Sequence, residues 1–235
     1  MKPKKLLLSC EHAVNDIPED FAHYFKAHHA LLNTHRGIDF GALQVANQLS
    51  QSLGCDLITA SVSRLLIDFN RSLTHPHCFS EISLACRDEE KNALITKYYQ
   101  PYRNKFEQSV RDFVKKGYQV CHVSVHSFTP IWHGETRRAD VGLLYDPQRP
   151  SELHFAKGWQ NLLKQHVKVR RNYPYRGTSD GFTVSLRKQF KDADYLGIEL
   201  EMNQAISQDP NKLAELSQWL VDTLRNVMTI NLIHS

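Results

Sequence analysis

An α/β fold, with a largely parallel or mixed sheet covered by helices on both faces, is what this 235-residue sequence predicts. Two observations carry that expectation. Short apolar runs alternate along the chain with longer segments of helical spacing, and this alternation is the signature of strands packed between helical layers. The composition, 41% hydrophobic and 23% charged, is that of a soluble globule able to bury such a sheet.

In chain order, Leu6–Ser9 is a buried-strand candidate. Asp39–Leu53 has helical spacing through Leu43, Val45, Ala46 and Leu49, and Gly54 closes it. Leu57–Val62 and Leu65–Phe69 read as strands. Asp88–Lys116 is a long helical region interrupted at Pro101, where a helix must kink or restart. Gln119–Val125 is the clearest strand and ends in a His-Ser pair, and Val141–Tyr145 is another, followed by a turn through Pro147 and Pro150. Glu152–His166 is helical, Val167–Arg171 extended and Tyr195–Met202 a strand. Asn211–Val227 forms an amphipathic closing helix behind Pro210.

No linker, internal repeat or low-complexity tract divides the chain, so one domain over residues 1–235 is expected. The net charge of +4 is scattered, with no basic block beyond Lys2–Lys5. A nucleic-acid reader would show a basic stripe with interleaved aromatics. A small anionic substrate fits the excess of positive charge at least as well, and composition does not choose between the two. Five cysteines at irregular spacing, without a CxxC pair, read as free thiols in a reducing cytosol. Three leucines before Ser9 fall short of a secretory segment, and no stretch approaches the ~20 apolar residues of a membrane span. A cytoplasmic protein with no membrane partner is the expectation.

In parallel or mixed sheets, ligands gather at the carboxyl ends of strands, and five clusters sit at such ends. In Ser9-Cys10-Glu11-His12, the imidazole can be a neutral metal ligand with Glu11 supporting or joining it; taken alone, it reads more readily as a surface or capping histidine. Asp39, at the mouth of a helix, is either its N-cap or a carboxylate ligand. His122, Ser124 and His126 share one strand face, and only His126 reaches the end where a site would open. Arg64 and Arg71 flank an apolar run carrying Asp68 and Asn70. An Asn-Arg pair there can clamp an anion, and the alternative is a structural Asp68–Arg pair. Glu199 and Glu201 lie on one face of a strand. There they repel, so that one is raised toward the range of a general base, or they simply face water at a sheet edge. Arg138 and Arg176 lie in apparent loops. No GxGxxG, Walker or GxSxG motif occurs.

The order of these clusters is more specific than any one of them. Ser-Cys-Glu-His-Ala at 9–13, Ser-Arg-Leu-Leu-Ile-Asp-Phe-Asn-Arg-Ser at 63–72 and His-Ser-Phe-Thr-Pro at 126–130 resemble the N-formylglutamate amidohydrolase family. Asn-Tyr-Pro-Tyr-Arg-Gly at 172–177 and Gly-Ile-Glu-Leu-Glu-Met-Asn at 197–203 continue the resemblance. It implies a three-layer α/β/α sandwich around a mixed sheet, similar to the zinc carboxypeptidases. It also implies Zn²⁺, or another divalent metal, on His12 and His126, with Asp39 favoured over Glu11 as the third ligand. Glu201 would be the general base with Glu199 as substitute. Asn70 and Arg71 would hold a substrate carboxylate, with Arg64, Arg138 or Arg176 for a second anionic group. The substrate implied is a small anionic N-acyl amino acid, N-formyl-L-glutamate foremost. The sequence departs from the carboxypeptidases in lacking their His-x-x-Glu, since Asn15 follows His12 by three, and in carrying Asn203 where they carry an arginine.

Overall fold

The computed structural model describes residues 2–233. In chain order the strands and helices are β1 (Lys4–Cys10), α1 (Glu19–Phe25), α2 (His29–Leu32), α3 (Ala42–Leu53), β2 (Asp56–Thr59), α4 (Asp88–Leu94), α5 (Gln100–Lys115) and β3 (Gln119–Phe128). There follow β4 (Ile131–Trp132), β5 (Glu135–Thr136), β6 (Val141–Leu144), α6 (Pro150–Leu163), β7 (Val169–Arg171), α7 (Phe182–Gln189), β8 (Tyr195–Asn203), α8 (Gln204–Ser207) and α9 (Pro210–Ile233).

Six strands form one mixed sheet in the order β2-β1-β3-β8-β6-β7. β2, β1, β3 and β8 run parallel, and β6 lies antiparallel to β8. β4 and β5 make a separate hairpin. Helices cover both faces, as the alternation of runs predicts. α3, α6 and α9 pack Val45, Leu49, Trp159, Leu216 and Leu220 against Leu8, Val123, Ile198 and Leu200 of the sheet. On the opposite face, α1, α5 and α7 contribute Phe21, Phe106, Val110, Phe182 and Leu186.

The second face of the central strands differs in kind. Period-2 alternation places Ser9, then His122, Ser124 and His126, then Glu199 and Glu201 there, and all are buried. Register aligns Ser9 with Ser124, Ser124 with Glu199, and His126 with Glu201. The alternation of β8, which also suits an edge strand facing water, thus belongs to a central strand with both faces covered. Deeper in this layer, His122 bridges Ser9 Oγ at 2.6 Å and Tyr195 OH at 2.7 Å. Gly197 is required for that bridge, because a Cβ there would stand 2.6 Å from the Tyr195 hydroxyl.

One local reading changes. Leu65–Phe69 is not a strand: β2 ends at Thr59, and the run continues as buried turns. Leu66 N–H donates to Ser63 O at 2.9 Å, and Asp68 N–H donates to Cys78 O at 2.8 Å. A short apolar run reports burial, not strand pairing. The helical region before Lys116 restarts near Pro101 through a π turn, Ile95–Tyr99, which resets the hydrogen-bond ladder ahead of the proline. The helices α1, α2 and α7 and the hairpin β4–β5 had no expectation from the sequence.

A candidate metal centre and active site

β1, β3 and the turn ahead of α3 deliver three side chains to one point. His12 lies just beyond the end of β1, and His126 is near the end of β3. Asp39 is tied to the first of these by its N–H, which donates to the His12 carbonyl at 3.2 Å. Asp39 Oδ2 stands 3.1 Å from His12 Nδ1 and 2.9 Å from His126 Nδ1. The N-cap of α3 is Gly41, with no side-chain cap. The Asp39 carboxylate is therefore not engaged in capping and faces the two imidazoles.

Behind each imidazole stands a second carboxylate. His12 Nε2 lies 2.8 Å from Asp68 Oδ1. His126 Nε2 lies 3.1 Å from Glu11 Oε2 and 2.8 Å from Ser124 Oγ. Ionised carboxylates only accept, so a ring nitrogen facing one does so through its proton; a metal ion would replace the protons on the Nδ1 atoms and leave each Nε2–H donating to Asp68 or Glu11. Two imidazole nitrogens and one carboxylate oxygen converge, each ring oriented from behind by an acid: this is the donor chemistry of a divalent-metal site. Donors around tetrahedral zinc stand about 3.3 Å apart for bonds near 2.0 Å. The two observed separations, 3.1 and 2.9 Å, are close to that. His12, Asp39 and His126 each offer one donor atom, and the three lie within 4.8 Å of one another.

Burial alone would raise the acids and lower the histidine, but pairing outweighs it. The charged partners His12 and Arg64, with hydrogen bonds from both histidines, hold Asp39 well below the usual carboxylate range. Asp68 is held low in the same way by His12 and Arg64. Arg64 joins the two acids, donating to Asp39 Oδ1 at 3.3 Å and Asp68 Oδ2 at 3.1 Å. Glu11 is likewise held low against its burial, chiefly by His126. It accepts from Tyr102 OH at 2.7 Å and Ser124 Oγ at 2.5 Å. His126 is raised well above its ordinary value because Asp39 and Glu11 overcome its burial. A proton on its Nδ1 and a metal ion would compete for one lone pair.

Glu201 is the exception among these acids. Its Oε2 is buried without a hydrogen-bond partner among the described residues. Burial lifts its carboxyl to about 8, with Asp39 and Glu199 adding to the rise and His126 opposing it. Glu199, two residues earlier on the same face, accepts from Thr183 Oγ1 at 2.5 Å. Both line a cavity of about 330 Å³ together with His12, Asp39 and His126. Asn70, Arg71 and Arg176 are also on its wall. Asn70 Oδ1 accepts from Phe182 N–H at 2.7 Å, and Arg71 Nη1 donates to Asp180 O at 2.6 Å.

The comparison with known families decides the affiliation, because residues 4–207 match the N-formylglutamate amidohydrolase family. The chain belongs to that family. A solved structure of a gene product from Agrobacterium tumefaciens is similar, with 26% identity, a TM-score of 0.84, and coverage of 96% of this chain and 90% of that one. An N-formylglutamate amidohydrolase from Ralstonia eutropha JMP134 shares the fold at 19% identity and a TM-score of 0.71, covering 98% of this chain and 94% of that one. No curated protein matches the sequence. The family is one of hydrolases acting on small amides, and no helix among the described residues is long and apolar enough to cross a membrane.

For this member of the N-formylglutamate amidohydrolase family, several residues named from sequence occupy other places. Arg138 is exposed and does not line the cavity. Its neighbour Arg137 stacks over Phe128, Trp132 and Tyr175 instead, 5.1–5.8 Å from the ring centres. Glu11 lies on the far side of His126, both its oxygens occupied, and does not join the donor cluster. Asn203 donates to Arg137 O and Ala139 O and caps α8, which makes it structural. Asp68 pairs with Arg64, as a structural reading expects, and also orients His12. Tyr102 and Thr183, which fix the acids from α5 and α7, carry no local motif. Only the long-range packing of those helices brings them in.

Proposed function

We propose that this chain is a metal-dependent amidohydrolase that removes the acyl group from an N-acyl amino acid, with N-formyl-L-glutamate giving formate and glutamate. The observation that carries the reading is the convergence of His12 Nδ1, Asp39 Oδ2 and His126 Nδ1 beside the unpartnered Oε2 of Glu201. His12, Asp39 and His126 would hold the ion, zinc being the metal their donor set suits best. A divalent ion supplies Lewis acidity there, polarising a carbonyl and acidifying water.

The residues of the chain do the rest. Glu201, poised near neutrality by burial, accepts the proton of the attacking water and passes it to the departing amine nitrogen. The carbon–nitrogen bond breaks as the water oxygen joins the carbonyl carbon, so the acid and the free amine account for every atom. Glutamate has two carboxylates. Two guanidinium groups, Arg71 and Arg176, stand on the cavity wall to receive them. Asp68 and Glu11 keep His12 and His126 in the tautomer that binds metal.

Protein purified with zinc, cobalt or manganese should contain an equimolar ion and release amine from N-formyl-L-glutamate, and a chelator should abolish this. His126→Ala should lose both ion and activity. Equal metal content in the two proteins, or no turnover of any N-acyl amino acid with these metals supplied, overturns the reading.

A further inference from the structure

A formyl group has nothing beyond its carbonyl carbon but a hydrogen, yet the cleft does not end at the metal centre. A second cavity of about 270 Å³ shares Asp39, Arg64, Ser127 and Tyr175 with the first. It contains none of Glu199, Glu201, Asn70, Arg71 or Arg176. The two spaces therefore adjoin at these four residues; the first adds Asn70, Arg71 and Arg176, and the second adds His35 and Arg36.

The second space is lined differently. Phe128, Trp132 and Tyr175 are on its wall. Arg137 stands 5.8, 5.1 and 5.2 Å from the centres of those rings and joins them into one aromatic face. Trp132 rides on the hairpin β4–β5 and Tyr175 on the loop after β7, and both stay largely exposed, at 47% and 43%. Arg137 lies over both rings, and what remains exposed of them beside the cavity is a surface on which an aromatic group can stack. A cavity of about 150 Å³ suffices for a benzene ring, so 270 Å³ holds an aryl acyl group with room to spare. The polar rim of Thr129 and Gln204 can meet its carbonyl or ring substituents.

Resting on the amidohydrolase reading above, we propose that this second cavity is an acyl-side subsite. Beyond N-formyl-L-glutamate, the chain hydrolyses N-acyl amino acids whose acyl group is aromatic, with Trp132 setting how well that larger group is accepted. The amino acid occupies the cavity of Arg71 and Arg176. The acyl group crosses the donor cluster and stacks on Trp132 and Tyr175.

The test compares kcat/KM for N-formyl-, N-acetyl- and N-benzoyl-L-glutamate in wild type and Trp132→Ala, a change on an exposed hairpin outside both core layers. Wild type should turn over the benzoyl as well as the formyl compound, and the benzoyl-to-formyl ratio should fall about tenfold in the variant. A wild type that turns over formyl but not benzoyl, or a ratio unmoved by Trp132→Ala, overturns the proposal. Binding to Glu201→Gln, followed by calorimetry, separates this from failure of the hydrolase reading. If none of the three is turned over, about tenfold tighter binding of the benzoyl than the formyl compound still upholds the subsite. Equal affinities overturn it.

Discussion

Replacing Glu201 by glutamine should stabilise the metal-free protein, and the gain should grow with pH. The carboxyl is buried, its Oε2 has no partner among the described residues, and burial raises it from 4.5 to about 8. The sign follows from proton binding. The folded chain holds this proton more tightly than the unfolded chain, so stability is lost as pH climbs from the unfolded value to the folded one, and is level above it. At pH 7 the chain is two and a half units above the unfolded value. At ~1.4 kcal/mol per unit this amounts to about 3 kcal/mol of destabilisation, approaching 5 kcal/mol by pH 9. Glutamine keeps the shape and removes the charge, although its buried amide costs about 1–3 kcal/mol if unpaired. The difference between the two proteins is therefore near zero or negative at pH 5, and moves by about 3 kcal/mol in favour of glutamine by pH 8. That corresponds to roughly 6–12 °C in Tm for a chain of this size. Thermal and urea unfolding of both proteins in chelator, from pH 5 to pH 9, measure it. A bound cation beside Glu201 should flatten the difference. Parallel pH profiles for the two metal-free proteins would refute the assignment of Glu201 as a carboxyl strained by burial.

Three other outcomes follow from the same geometry. Glu11→Gln should weaken metal binding by roughly 10–100-fold while leaving the fold intact, because the partner of His126 Nε2 loses its charge; competition with a metal indicator reads it. Arg71→Ala should raise KM for a dicarboxylate substrate more than it lowers kcat, by about 10–100-fold in kcat/KM, as expected for loss of a charge-assisted contact to the bound amino acid. Arg187→Met should cost about 3–5 kcal/mol in urea unfolding without touching the site. It strips Glu152, a fully buried acid 2.9 Å from Arg187 Nε, of that partner.

The division between what the sequence made legible and what it did not follows the range of the interactions. β1, β3 and β8 declare themselves by apolar alternation over consecutive residues, and the site sits at their carboxyl ends because parallel strands must bring those ends together. His126 and Glu201 could be placed for that reason alone. Asp39 could not, because an aspartate before a helix reads as a cap. Gly41 takes the cap position and leaves the carboxylate to the histidines, which only the turn geometry discloses. Leu65–Phe69 failed as a strand for the converse reason. Its burial comes from packing into the core layer of Phe21, Phe106 and Phe182, and the backbone bonds go to Ser63 and Cys78 rather than to a neighbouring strand. Arg138, expected on the wall, is exposed and off it, in an irregular segment where no period says which side chain turns inward. Tyr102 illustrates the general limit. Its hydroxyl fixes Glu11 across a separation of 91 residues, and that pairing exists only because α5 packs on the polar face of β3. The two candidate histidine ligands are thus local facts of strand ends, whereas Asp39 is a fact of turn geometry and the groups that orient the histidines are facts of layer packing. Changes in α5 and α7 should therefore alter metal affinity without altering which residues bind the metal.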